Sequence, residues 1–202
     1  MKKILALIAA LSLVTLTACG QANSAATLGN TSISQTELQS TVDTILKERK
    51  GIDVSQMQLE SGAALNRSQL RFLIITKIFD QIAKELKLSI TATEITTTRA
   101  NMITQGGGEA SLPQNLVSAQ IASTNFDAYV RAILISDKLS AALKGSGVAD
   151  KDISAKISEL VVAKTKELKI KVNPRYGKWD DTTGDIVATD SAGTSVKAPA
   201  TK

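Results

Sequence analysis

A lone cysteine, Cys19, is the residue of this chain whose position most constrains its chemistry. It is the only cysteine among 202 residues, and it directly follows Leu16, Thr17 and Ala18. Without a second cysteine, no disulfide can form within the chain. The sequence around Cys19 therefore decides which chemistry to expect of its thiol.

The first 18 residues have the pattern of an export signal. Lys2 and Lys3 give a positive start, and an uncharged, mostly apolar stretch covers residues 4–16. This stretch is too short to remain as a membrane-spanning helix. The ending Leu16-Thr17-Ala18-Cys19 resembles the lipobox of bacterial lipoproteins, in which the cysteine receives a diacylglyceryl group and becomes the first mature residue. An ordinary signal peptide followed by a stray cysteine is the alternative.

The lipobox resemblance implies a signal peptide at 1–18, a lipid anchor of palmitate-type acyl chains on Cys19, and a short tether at 19–25. Two acyl chains anchor a protein stably where one is marginal. The polar part of this tether, Gln21 to Ala25, has five residues and reaches only ~17 Å when extended. We therefore expect the folded part to lie close to the extracytoplasmic face of the cell membrane.

Acid–base and metal chemistry have few candidates. Histidine is absent, which excludes a Ser-His-Asp triad, a Cys-His pair and histidine metal sites. Two acidic pairs remain, Asp150 with Asp152 and Asp180 with Asp181. The first suits the start of a helix, where the dipole favours negative charge, and the second suits a solvated tail. We expect no cofactor, no metal and no catalytic residue.

The charge balance argues against a nucleic-acid partner. Without Lys2 and Lys3 the chain has 22 basic and 19 acidic residues. This small excess of positive charge is too weak to indicate binding to nucleic acid. The basic residues of one stretch nevertheless lie close together: Lys164, Lys166, Lys169, Lys171, Arg175 and Lys178. Such a run is most often a solvated face, but it could also contact anionic lipid or acidic polypeptides.

Apolar periodicity predicts a mainly α-helical protein. The helical pattern recurs six times, near 34–50, 66–86, 91–105, 111–122, 125–144 and 150–167. Ser34 with Glu37 and Thr91 with Glu94 have the spacing of capping boxes, and Asn66 is a further candidate cap. Gly106-Gly107-Gly108 lacks the lysine of a phosphate-binding loop, which favours a flexible linker.

Two short strands are predicted at opposite ends of the helices. Residues 27–33 form the first, and residues 168–172 alternate apolar and basic side chains as a half-buried strand does. Because an isolated short strand is not stable, we expect the two to pair and close a domain at 26–179. Residues 180–202 have little apolar content and are predicted to be a disordered tail.

This arrangement resembles the chaperone domain of the SurA/PrsA family. Two segments support the resemblance: Ala26–Ser34 followed by Glu37-Leu38, and the closing stretch Val172-Asn173-Pro174-Arg175-Tyr176-Gly177-Lys178-Trp179. The resemblance implies that Asn173, Pro174, Arg175, Tyr176, Gly177 and Trp179 close the fold. Family members often carry a parvulin isomerase domain, which would fall at 144–149 and is not inserted here.

The resemblance also implies a function. Parvulin catalysis relies on histidines, so isomerase activity is not expected, and what remains is binding of unfolded or partly folded secreted polypeptides. Met102, Ile103, Leu112 and Leu116 flank the three glycines and are candidate client-binding residues, with ordinary core packing as the alternative.

Two rival functions stay open. The same domain in a structural or assembly lipoprotein would bind one fixed partner of the envelope or of secretion, and a carboxylate enzyme is a weaker alternative. Many unfolded clients would favour the chaperone, and one folded partner would favour the assembly protein.

Overall fold

A computed structural model describes residues 23–189, and these residues form a mainly helical protein with two small antiparallel sheets. The predicted fold class is confirmed. The strands are β1 (Ser24–Leu28), β2 (Thr31–Ser34), β3 (Lys171–Val172), β4 (Lys178–Asp180) and β5 (Asp185–Val187). The helices are α1 (Gln35–Arg49), α2 (Gly62–Glu85), α3 (Ala92–Gln105), α4 (Leu112–Ser118), α5 (Phe126–Gly145) and α6 (Asp150–Leu168), with a short 3-10 turn at Ser123–Asn125.

The two ends of the described chain meet in one sheet, in the order β2-β1-β3. Ala26 pairs with Val172 and Thr27 with Lys171, both antiparallel, so the predicted pairing of the terminal segments is confirmed. The predicted single strand at 27–33 is wrong, because Leu28 pairs with Thr31 across a two-residue turn and makes a hairpin. The closing sheet has three strands among the described residues, rather than the two that the sequence predicted.

Helix starts follow their capping residues closely in two cases. The Ser34 hydroxyl accepts a hydrogen bond from the Glu37 amide, and Thr91 with Glu94 forms a complete capping box. Asn66 does not cap α2, which begins four residues earlier at Gly62, and its amide donates to the Gly62 carbonyl. A polar side chain in the first turn of a helix can therefore be mistaken for its cap.

Most buried apolar side chains belong to one group, which we call the main cluster. It joins β1, β2, α1, α2, parts of α5 and the C-terminal strands, with Leu38, Ile74, Ile78, Leu139 and Trp179 among its members. A second group, the small cluster, contains Ile103, Leu116, Ile121, Phe126 and Val130 and belongs to α3, α4, α5 and the connection before α5. The helical part therefore has two separate apolar centres.

The predicted disordered tail is wrong for residues 180–189. Strand β5 pairs with β4, and Trp179 is opposite Ile186. Both side chains are buried, with 6 % and 5 % exposure, and both belong to the main cluster. Ile186 is the one buried apolar residue of the stretch 180–189, and its contact with Trp179 holds the hairpin in place. The low apolar content averaged over residues 180–202 conceals this single contact. Residues 190–202 lie outside the described part.

Among residues 23–189, no helix combines the length and hydrophobicity that a membrane span requires.

Candidate functional site

An apolar groove of about 310 Å³ lies between α2 and α5. We call it the α2–α5 groove. Its lining residues are Ser68, Arg71, Phe72, Ile75, Thr76 and Phe79 of α2 with Tyr129, Ala132, Ile133 and Ser136 of α5. Phe72, Phe79 and Tyr129 are three of the six aromatic residues of the whole chain, so a sequence poor in aromatics concentrates them here.

The groove exists because α2 has a wider apolar stripe than its neighbours cover. Leu70, Ile74 and Ile78 of α2 are fully buried in the main cluster. Phe72 and Phe79 lie on the flank of that stripe and are only partly buried. Helical periodicity places residues at spacings of three and four on one face, so a stripe this broad faces more than one neighbour.

The groove lies where the two apolar clusters meet. Phe72, Ile75 and Phe79 pack against the main cluster, whereas Tyr129 packs against the small cluster. The Arg131 Nε lies 2.6 Å from Asp80 Oδ1 and links α5 to α2. The groove walls thus belong to two helices that pack together and are also bridged by this partly exposed ion pair.

Arg71 supplies a positive charge at the groove and connects it to the C-terminal hairpin. Its Nε donates to the Gly184 carbonyl at 2.9 Å and lies 3.5 Å from Asp185 Oδ1. The remaining polar lining consists of the small side chains Ser68, Thr76 and Ser136. Such a surface has apolar area to cover a client's side chains and hydroxyls that can hydrogen-bond to a client's backbone.

The described residues offer little for acid–base catalysis. The hydrogen bond from Lys138, together with those from Thr91, lowers the pKa of Glu94 to about 2. Hydrogen bonds from Thr182 lower the pKa of Asp180. Asp150 lies 3.0 Å from Lys144 Nζ at the surface. Glu94 and Asp180 thus have partners that favour their ionised form, whereas a general acid needs a raised pKa.

No group of three or more metal-ligating side chains lies among residues 23–189.

The four candidate client-binding residues come together, but in the small cluster. Ile103 and Leu116 are buried, with 6 % and 7 % exposure, while Met102 and Leu112 are partly buried around them. Hydrogen bonds hold the glycine turn between α3 and α4: Gly108 donates to the Ile103 carbonyl, and Asn115 Nδ2 donates to the Gly106 carbonyl. A client could reach Ile103 and Leu116 only if this turn opened.

Asn173 connects the C-terminal segment to the start of β1. Its backbone amide donates to the Ala25 carbonyl at 2.8 Å, and its side-chain amide donates to the Ser24 carbonyl at 3.1 Å. Its side-chain oxygen accepts from the Arg175 amide, two residues after it, and so shapes the turn at Pro174. Arg175 also donates to the side chain of Gln35, at 2.9 Å.

Trp179 and Gly177 complete this closure. The Trp179 ring is buried in the main cluster, and its indole nitrogen has no hydrogen-bond partner among the described residues. Gly177 has a φ of +125°, and a side chain there would come within 2.3 Å of the Val187 carbonyl oxygen. Only glycine lets β5 approach β4 this closely. Tyr176 packs against the main cluster from its edge.

Cys19 lies outside the described residues, so its role stays a prediction.

The sequence did not predict the α2–α5 groove. Phe72, Ile75 and Phe79 look like core in the sequence, because a broad stripe on a long helix is typical of a central helix. The signal that points to the groove is the excess of aromatics on the flank of this stripe. Finding the groove also requires knowing that α5 packs beside α2, which no local pattern provides.

A helical protein with an open apolar groove between two of its helices has the character of a binding protein. A family model for the SurA-like N-terminal domain matches residues 1–140. This is more than half of the chain, and the chain belongs to that family. Its domain is of a chaperone type and is not catalytic by itself. The match ends within α5, so the closing segment at 172–179 lies outside it.

Neither the search of curated proteins nor the search of solved structures gave a match.

Proposed function

We propose that this protein is a lipid-anchored, extracytoplasmic holding chaperone that binds exposed apolar segments of unfolded or partly folded secreted polypeptides, without isomerase activity. The α2–α5 groove is the client site. The observation that carries the proposal is the concentration of half of the chain's aromatic side chains along one open apolar groove, in a chain of a chaperone-type family.

The chemistry of the groove supports an unfolded client. Aromatic side chains contribute large contact areas with little sequence preference. Large exposed apolar patches with polar residues at their rim mark interaction sites and binding grooves, and Ser68, Arg71 and Ser136 lie beside the apolar side chains of the α2–α5 groove. The groove volume of about 310 Å³ suits a few apolar side chains of a client at a time. Binding of short segments at modest affinity is what a holding chaperone needs, since it must also release them.

Two sequence features support the remaining parts of the proposal. The lipobox-like ending at Cys19 supports membrane anchoring, and replacing Cys19 by Ser should leave the protein unprocessed or released from membranes. The absence of histidine supports a holding role without isomerase activity. A purified soluble form should therefore not accelerate prolyl isomerisation of a test peptide, and reproducible isomerase activity would contradict this part.

A pair of substitutions in the groove tests the client site. Phe79→Ala with Ile133→Ala removes partly exposed apolar surface from both walls of the groove. We expect this variant to lose most of its ability to suppress aggregation of an unfolded model protein, measured by light scattering.

The matched control removes two exposed apolar side chains elsewhere. Leu46 and Leu160 are exposed, at 42 % and 37 %, and do not line the groove. The Leu46→Ala, Leu160→Ala variant should suppress aggregation like the unmodified protein. Thermal melts should show that both variants are folded. Equal activity of the groove variant and the control would overturn the groove assignment.

Crosslinking in cells separates the chaperone from an assembly lipoprotein with one fixed partner. A photoreactive residue at position 133 should capture many different secreted polypeptides. Capture of one folded envelope or secretion protein, reproducibly and alone, would favour the assembly protein instead.

A further inference from the structure

Four exposed basic residues follow one another along the closing segment of the described chain, in and around β3 and at the start of β4. We call Lys169, Lys171, Arg175 and Lys178 the basic strip, and all four are exposed. Lys171 lies in β3, paired with Thr27, whereas its neighbours Ile170 and Val172 pack on the main cluster. Alternation therefore turns Lys171 outward and its apolar neighbours inward, and in β4 the exposed Lys178 likewise precedes the buried Trp179.

The sheet brings this strip to the point where the chain enters the domain. Leu168, next to Lys169, accepts a hydrogen bond from Gly29 at one end of β1. At the other end, Asn173 holds Ser24 and Ala25, and Arg175 reaches Gln35. Residues separated by about 150 positions in sequence thus lie together, next to Ser24. Ser24 and Ala25 were predicted to belong to the tether, but they are the first residues of β1, because Ser34 and Asn173 bind them on either side.

The charge of the strip is not neutralised within the described part of the chain. None of its four residues forms an ion pair with a carboxylate of residues 23–189. Two neighbouring carboxylates are already engaged, since Glu167 pairs with Lys164 and Asp180 accepts hydrogen bonds from Thr182. Asp180 and Asp181 follow Lys178 and limit the strip on that side.

We propose that the basic strip is a membrane-facing surface that binds anionic phospholipid headgroups and orients the domain on the bilayer. This inference rests on the lipid anchor of the proposed function, but not on client binding in the groove.

The length of the tether and the range of electrostatic attraction in salt solution both support a membrane-facing basic strip. The five steps from Cys19 to Ser24 span at most ~17 Å, so a lipid on Cys19 keeps Ser24 within that distance of the bilayer. Attraction between lysines and an anionic leaflet extends over about 8–10 Å at physiological salt. The anchor thus holds the strip close to the range in which its charge acts, and the strip then selects which face of the domain meets the lipid.

The test measures binding of the unlipidated protein to vesicles. The chain from residue 19 with Cys19→Ser contains every described contact, and its binding is followed by vesicle flotation. It should bind an equal mixture of phosphatidylcholine and phosphatidylglycerol, but not phosphatidylcholine alone, and salt should weaken the binding. Each lysine near an anionic surface raises the partition coefficient about fivefold. We therefore expect the partition coefficient to fall about a hundredfold in the triple variant Lys169→Gln, Lys171→Gln, Lys178→Gln.

A second triple variant controls for net charge. Lys47, Lys50 and Lys151 are exposed and lie at the far ends of α1 and α6 from the strip. Their replacement by Gln removes the same charge and should lower binding much less. Equal losses in both variants, or no preference of the unmodified protein for anionic vesicles, would overturn the proposal.

A client assay separates this proposal from the proposed function. The strip variant should still suppress aggregation in solution, because the groove is intact. If it instead lost aggregation suppression and kept vesicle binding, the strip would be a surface for acidic clients and the membrane assignment would be wrong. A failure of the groove variant alone leaves the strip proposal untouched.

Discussion

The main cluster and the small cluster are built in different ways from the same kinds of residue. The small cluster draws on one contiguous stretch, from Ile95 to Leu134. The main cluster joins residues from both ends of the described chain, from Ala25 to Ile186. The first can form from local contacts, whereas the second is complete only when distant segments meet.

This difference separates two tasks of the fold. The main cluster contains the fully buried side chains of α2 and determines whether the domain holds together. The small cluster carries the other wall of the α2–α5 groove through Tyr129. The α2–α5 groove lies between the main cluster and the small cluster. Its width can therefore change when the small cluster moves, while the main cluster stays folded.

The largest effect is expected when the long-range closure of the main cluster is removed. Deleting residues 169–202 removes β3, β4 and β5 together with the buried Trp179 and Ile186. Burial is worth about 25 cal/mol per Å² of apolar surface, so this loss approaches the whole stability of a small domain. We expect the truncated chain to be unfolded or molten by circular dichroism.

The matched control for that truncation deletes only residues 190–202, which removes none of the described contacts. This form should unfold at the same denaturant concentration as the parent and keep a blue-shifted Trp179 emission. If both truncations left the midpoint unchanged, the main cluster would not depend on its C-terminal closure.

The same substitution in each cluster should have different consequences. Ile74 is fully buried in the main cluster and Ile103 is 6 % exposed in the small one. Ile74→Ala should cost about 4 kcal/mol of the free energy of unfolding, and Ile103→Ala about 2 kcal/mol. Hydrogen exchange should accelerate throughout the domain in the first variant and mainly in α3 and α4 in the second. An Ile103→Ala variant of unchanged stability but weaker client binding would show that Ile103 contacts clients.

A smaller effect is expected from the C-terminal hairpin. Gly177→Ala places a methyl group against the Val187 carbonyl and forces the hairpin apart, at a cost of about 2 kcal/mol. Gly184 also has a positive φ, +66°, but nothing lies within 4 Å of a side chain there. Gly184→Ala should therefore cost only about 1 kcal/mol. Equal midpoints for the two variants would show that β5 is not seated as described.

The smallest effect concerns the ion pair that links the small cluster's α3 to α5. Glu94 has a pKa of about 2, below its usual 4.5, with the hydrogen bond from Lys138 as the first cause. Folding lowers the pKa of Glu94, so the ionised side chain stabilises the folded protein. This stabilisation is fully present above pH 4.5 and is lost as the pH falls through about 2. Glu94→Gln should lower the unfolding midpoint at pH 7, and its difference from the parent should disappear near pH 2. A difference independent of pH would contradict this.

Local signals predicted the helices well, and tertiary contacts account for the failures. Thr91 and Ser34 cap helices as their spacing indicates, because a capping box is a contact between near neighbours. The hairpin at β4 and β5 was missed, because its one buried anchor, Ile186, is stabilised by Trp179 and not by its own neighbours.

The candidate site shows the same division. Met102, Ile103, Leu112 and Leu116 were grouped correctly as neighbours of the glycine turn, but sequence cannot tell an apolar surface from an apolar core. The groove depends on which helix packs beside Phe72 and Phe79, and that is decided by the whole fold.

The pairing of β1 with β3 sets the order of events when the chain is made. A polypeptide is synthesised from its N-terminus onward. The second edge of β1 is therefore covered only after Lys171 and Val172 have been made. Until then the helices of the main cluster are present without their closing segment, and contacts between residues this far apart form slowly. A protein of a chaperone-type family is thus itself, during its own synthesis, an incompletely folded chain that exposes apolar surface.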